Sequence, residues 1–242
     1  MHPQPPALFI HGFIGSFDVA SFDLPHAAPH LLGYGDCRAV DAGRVSLPAQ
    51  VEHLRAFIDT HMGGGPVDLV GHSVGGAIAM LLAHTHPGRV RRIVNVEGNF
   101  TLDDAFWSAS VGRMSQDEAE AMLARLRAEP LAWLRGAIAE APAHMAATAA
   151  RWLDHQDAGT LRAMGRSVID VTGDAGYLPM LCEVFERHPV YLLAGERSRA
   201  GWNVPDWALT QCAGQATLAG CGHMLAAERP EVFAQAIRGF LR

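Results

Sequence analysis

Apolar positions recur along this chain in two rhythms, short unbroken runs and a stripe repeating every three to four residues. Unbroken runs bounded by glycine predict buried strands. They fall at residues 7–10, ending on His11-Gly12, and at 190–193; residues 67–70, interrupted by Asp68, and 90–96, interrupted by Arg91, Arg92 and Asn95, read as strands too. Weaker strand signals lie near 23–28 and 215–218. The striped segments predict helices. Residues 48–61 carry Val51, Leu54, Phe57 and Ile58 on one face, with Pro48 in the first turn and three glycines after the last. Residues 74–86, closed by Pro87-Gly88, and residues 232–241 follow the same pattern. From 101 to 188 no strand-like run occurs. A capping box starts one helix there, Ser115 with Glu118 three positions on. "PLAWLRGAIAEA", "AHMAATAARWLDH" and "PMLCEVFERH" are helical too. Strands alternating with helices predict an α/β fold with a parallel sheet. Its core takes residues 1–99 and 189–242, and 100–188 form a helical insert.

Composition adds exclusions. With 242 residues, 49% hydrophobic and 18% charged, the chain is long enough for one well-filled core. All 19 basic residues are arginine, and there is no lysine. That rules out Schiff-base chemistry, a Walker A phosphate loop and serine–lysine dyads. A net charge of −6 argues against nucleic acid or an anionic membrane as partner. The N-terminal stretch has neither the basic region nor the apolar length of a signal peptide. Cys37, Cys182, Cys212 and Cys221 lack metal-finger spacing, so they read as free thiols and the expected location is cytoplasmic. Nothing in the pattern calls for a metal or a cofactor.

The segment "VDLVGHSVGG" carries the chemistry. A predicted strand runs into Gly71-His72-Ser73-Val74-Gly75 and straight on into a predicted helix. This is the setting a nucleophile elbow requires: small neighbours around a tight turn, with a serine at a helix N-terminus. Ser73 is the expected nucleophile, and the backbone N–H of Val74 an oxyanion donor. Serine needs a base. Of thirteen histidines, His223 stands in "GCGHM" after the last strand, where a loop reaches back across the strand tips. His72 is expected to pack beneath the turn, and His84, His86 and His188 to sit at helix ends.

"FIHGFIG" (9–15), "LLGYG" (31–35), "GHSVGG" (71–76) and "GCGHM" (220–224) stand in the order found in the α/β-hydrolase superfamily, which the chain resembles over nearly its whole length. The resemblance implies a mostly parallel sheet lacking the family's first strands, with the insert as a cap over the site. It also implies a second oxyanion donor, the N–H of Phe13. Where much of the family carries its triad acid, this chain reads Gly195-Glu196-Arg197-Ser198, with serine in the acid's place. Some lipases and haloalkane dehalogenases of the superfamily carry the acid one strand earlier, where this chain has Glu97. Glu97 is therefore the leading candidate, with Glu196 and Asp206 as rivals and capping of a helix near Thr101 as its competing use. Trp107 and Trp133 of the insert are candidate substrate contacts, with simple packing as the alternative. Arg197 and Arg199 read as solvated surface residues, with binding of a substrate carboxylate as the alternative. The implied activity is a serine hydrolase cleaving an ester, thioester or similar acyl bond of a small molecule. A C–C hydrolase, lyase or synthase using the same residues, and a catalytically decayed binding protein, remain open. A serine nucleophile excludes the aspartyl-nucleophile branches.

Overall fold

The four central strands are buried along most of their length, as their mainly apolar sequences require, whereas the two edge strands are partly exposed. The computed structural model describes residues 5–20, 22–138 and 141–242. Six strands form the sheet: β1 (Ala7–Ile10), β2 (His26–Ala27), β3 (Val67–His72), β4 (Val90–Val96), β5 (Val190–Gly195) and β6 (Gly214–Leu218). Their order is β2-β1-β3-β4-β5-β6, and each neighbouring pair is parallel. Side chains alternate across it. Leu8, Ile10, Leu69 and Ile93 face one apolar cluster, whereas Ala7, Phe9, Val70 and Val94 face another.

Helices α1 (Leu47–His61) and α2 (Val74–Thr85) lie on the first face. On the second, α11 (Pro230–Leu241) contributes Phe233, Ile237 and Leu241, preceded by the short α10 (Leu225–Glu228). Between β4 and β5 come α3 (Phe106–Arg113), α4 (Gln116–Ala128), α5 (Pro130–Ala137), α6 (Ala146–Asp154), α7 (Ala158–Thr172) and α8 (Tyr177–Arg187). Between β5 and β6 lies α9 (Asp206–Gln211). The expected capping box is present at the start of α4. Leu134, Leu153 and Leu161 of the insert belong to the same continuous apolar cluster as Leu8 and Leu69 of the sheet.

Two expectations are adjusted. The strand expected near 23–28 shrinks to two residues, because Pro25 and Pro29 bracket it and proline cannot extend a ladder. The helix expected through "PLAWLRGAIAEA" stops at Ala137, and residues 139–140 lie outside the described residues, as do residues 1–4 of the N-terminal stretch. Among the described residues, no helix is long and apolar enough to cross a membrane.

Candidate active site

The chain turns sharply between β3 and α2, and Ser73 is the turn. Its φ of 55° and ψ of −125° place it where a side chain is strained, at a cost of about 1–3 kcal/mol. Two backbone hydrogen bonds hold the turn: Ser73 N–H to Val96 O at 3.0 Å, and Gly76 N–H to Ser73 O at 2.8 Å. The glycines are needed for clearance. A Cβ on Gly71 would lie 2.4 Å from Gly75 O, and one on Gly75 would lie 2.2 Å from Ile10 O. Val74 opens α2, so its N–H is one of those a helix leaves without an internal partner.

Glu97 follows β4 directly and has a φ of 46°. Among the described residues, it and Ser73 are the only non-glycine positions with positive φ. Its carboxylate is 3% exposed and makes three hydrogen bonds. Oε1 accepts from Gly195 N–H at 2.7 Å and from the Ser198 hydroxyl at 2.5 Å. Oε2 lies 2.6 Å from His223 Nδ1. Burial pushes this carboxyl up, but His223, then Ser198 and the Gly195 N–H, outweigh it and hold the group below the ordinary value of 4.5. A carboxylate accepts only, so Nδ1 of His223 carries the donating hydrogen, and Nε2 is left as the basic nitrogen of the neutral ring.

The rival acids lie elsewhere. Glu196 accepts from Gly220 N–H at 2.8 Å, on the loop leading to His223. Asp206 is exposed at the start of α9. Glu97 caps no helix. The loop ahead of α3 is tied instead by Asp104, its Oδ2 accepting from Phe100 N–H at 2.9 Å and Thr101 N–H at 3.1 Å.

The profile of the alpha/beta hydrolase family matches residues 7–236. The chain belongs to that family. Two relatives match shorter stretches: lipase LipV of Mycobacterium tuberculosis, 43% identical over 81 residues, and 2-hydroxymuconate semialdehyde hydrolase of Pseudomonas putida, 38% identical over 98. The stretches cover 34% and 37% of this chain, and 30% and 34% of those proteins, about a third of their length. A carboxylesterase structure from Nitrososphaera gargenis superposes over 98% of this chain and 90% of its own, with a TM-score of 0.73 and 19% identity, which speaks for the fold alone. The resemblance, the fold class and membership of a family of enzymes, all expected from the sequence, are borne out.

In this alpha/beta hydrolase a cavity of about 980 Å³ opens over the strand tips. Ser73, His223, Glu97, Phe13, Trp107 and Trp133 all line it. Of the expected site residues only Val74 is missing from the wall, being buried one position behind Ser73. Trp107 meets the Phe13 ring edge-on at 5.5 Å. Trp152 packs against Gly15 instead and does not line this cavity.

Several supporting residues were not foreseen from the sequence. His11 is buried and held neutral, with burial pushing its pKa down to about 3. Its Nδ1–H donates to Gly12 O at 2.9 Å, while Nε2 accepts from Leu31 N–H at 3.3 Å. No described peptide bond is cis, so fixing the Gly12 carbonyl points the Phe13 N–H the opposite way. Tyr34, from "LLGYG", donates its hydroxyl to Phe13 O at 3.0 Å and clamps the other side of that residue. His72 does more than pack beneath the turn. Its Nε2–H donates to His223 O at 2.9 Å, and burial holds its pKa down at about 4, so the ring stays neutral. Arg197 is not a free surface residue: it donates to Gly220 O and pairs with Glu228 at 2.6 Å. Glu228 in turn accepts from Gly222 N–H at 2.8 Å, next to His223. The motif context could have pointed to His11 and Tyr34. Nothing local in the sequence points to Ser198 or Glu228.

Proposed function

We propose that this protein is a serine hydrolase that cleaves a carboxylic ester, thioester or similar acyl bond with Ser73, His223 and Glu97. The observation that carries the reading is the 2.6 Å contact between Glu97 Oε2 and His223 Nδ1, at the rim of the cavity that Ser73 enters from its strained turn. Ser73 Oγ attacks the acyl carbon as its proton passes to His223 Nε2. The backbone N–H groups of Phe13 and Val74 receive the oxyanion, an arrangement commonly worth about 10²–10³ in rate. Collapse of the adduct breaks the acyl bond, and His223 returns the proton to the departing alcohol or thiol. Water then gives its proton to His223 and its oxygen to the acyl carbon, and the serine leaves as it is reprotonated. Glu97 stabilises the imidazolium in both halves. Helices α3–α8 act as a cap, contributing Trp107 and Trp133 to an apolar wall suited to an acyl or aryl group.

One relative favours a second reading. A semialdehyde has no ester to hydrolyse, so similarity to 2-hydroxymuconate semialdehyde hydrolase keeps C–C bond hydrolysis by the same residues in play. The test is fluorophosphonate labelling combined with turnover of 4-nitrophenyl esters. The expected result is one label on Ser73, a burst of nitrophenol, and loss of both in Ser73→Ala. Label on Ser73 without any ester turnover would turn the assignment toward the C–C reading. No label and no turnover would remove the enzyme altogether.

A further inference from the structure

The cavity holds charge that acyl transfer does not use. Besides histidine, five lining residues ionise: Glu97, Asp104, Arg197, Arg125 and Arg135. Three are satisfied within the protein. Glu97 is held by His223, Ser198 and Gly195. Asp104 accepts from three backbone N–H groups, those of Phe100, Thr101 and Asn203. Arg197 pairs with Glu228. The remaining two are cations. Arg125 makes no hydrogen bond or ion pair among the described residues. Arg135 makes one long contact, Nε to Ala141 O at 3.5 Å.

Both sit in the last turns of their helices, Arg125 in α4 and Arg135 in α5. An arginine there relieves the helix dipole, and that alone would account for its presence on an outer face. It does not account for placement on the cavity wall. There both side chains are exposed at the cavity mouth beside apolar Met122, Leu126 and Trp133, so solvent screens each charge and the site depends on the two guanidinium groups acting together. Each guanidinium offers five donors in a planar fork that fits a carboxylate.

We infer that Arg125 and Arg135 receive a carboxylate of the substrate remote from the scissile bond, so that the preferred substrates are monoanionic esters with an apolar spacer. The inference rests on the serine hydrolase reading for the reaction, though not for the binding. Two pairs of esters test it: 4-nitrophenyl hydrogen adipate against its methylated counterpart, and 4-(acetoxymethyl)benzoate against benzyl acetate. The first pair places the charge in the acyl half, the second in the alcohol half. In at least one pair kcat/KM should favour the anion by roughly 3- to 30-fold, the range that two solvent-exposed ion pairs confer together. Added salt should lower that ratio. The double variant Arg125→Gln, Arg135→Gln should bring it close to one, whereas Arg125→Lys, Arg135→Lys should keep part of it.

Ratios near one in both pairs for the wild type would overturn the inference, and so would a Gln double variant that keeps the full preference. Calorimetric binding of the same four esters to Ser73→Ala separates the two readings. Tighter binding of the anion there, with no turnover of any ester by wild type, would sink the hydrolase assignment and leave the carboxylate site standing. Ester turnover without anion preference in rate or binding would do the reverse.

Discussion

At the scale of single residues, the proposed triad takes its acid from one strand earlier than much of the family does. Ser198 stands where much of the family carries its carboxylate, yet it remains in the network by donating to Glu97. Replacing Glu97 by Gln keeps the shape but presents the amide in place of the oxygen that receives Nδ1–H. Turnover should fall by about 10²–10⁴-fold, while exposed Asp206→Asn leaves it unchanged, as steady-state kinetics on an activated ester would register. Ser198→Ala removes only one of three bonds to the carboxylate. We expect a drop of about three- to tenfold in kcat with KM unchanged, and an acid limb of the pH–rate profile moved upward because Glu97 is less firmly ionised. A flat profile shift with Ser198→Ala would deny Ser198 this positioning role. The proposed nucleophile, base and acid could be picked out in the sequence because each sits in a short motif at a strand end. The partners that hold them could not. Ser198 meets Glu97 across 101 residues of separation, and no motif marks Glu228, whose carboxylate holds the Gly222 N–H beside His223.

At the scale of elements, strands announced themselves better than boundaries. Four mainly apolar runs became β1, β3, β4 and β5, since most of their residues are buried, and the charges they do carry pair with one another, Asp68 of β3 with Arg91 of β4. β3 and β5 each extend two residues beyond their apolar runs, into the glycine-containing tips that carry function. Helix packing in the insert was invisible, as it depends on which small residues face each other. α3 and α7 touch through Gly112 and Gly165: a Cβ on Gly165 would lie 2.3 Å from Ser108 O, and one on Gly112 2.5 Å from Gly165 C. Gly165→Ala should therefore separate two helices rather than strengthen one. About 1–3 kcal/mol of stability should be lost, a fall of several degrees in Tm by calorimetry, despite alanine's better helix propensity.

For the whole molecule, acid should act earlier than its carboxylates alone would dictate. His11, His72 and His155 have pKa values lowered from 6.5 to about 3, 4 and 4, each chiefly by burial. A depressed histidine binds its proton in the unfolded chain before the folded one. Its contribution to stability is complete above 6.5 and is lost as pH falls from there toward the folded value. Glu97, held below 4.5, adds its own loss only below that point. Denaturant titrations should show stability declining between pH 6.5 and 4.5, with up to about three protons taken up on unfolding. A plateau down to pH 4.5 would contradict the buried, neutral state of these rings.

The two-residue β2 has a consequence for how this molecule behaves among copies of itself. A parallel sheet has two open flanks, and an open flank is a template on which another chain can dock strand to strand. On the β2 side that template is His26 and Ala27, bracketed by Pro25 and Pro29, which have no N–H to offer. Such a ledge is too short and too poor in donors to seed a growing cross-strand stack, so that flank resists strand-to-strand pairing without a helix or loop having to cover it.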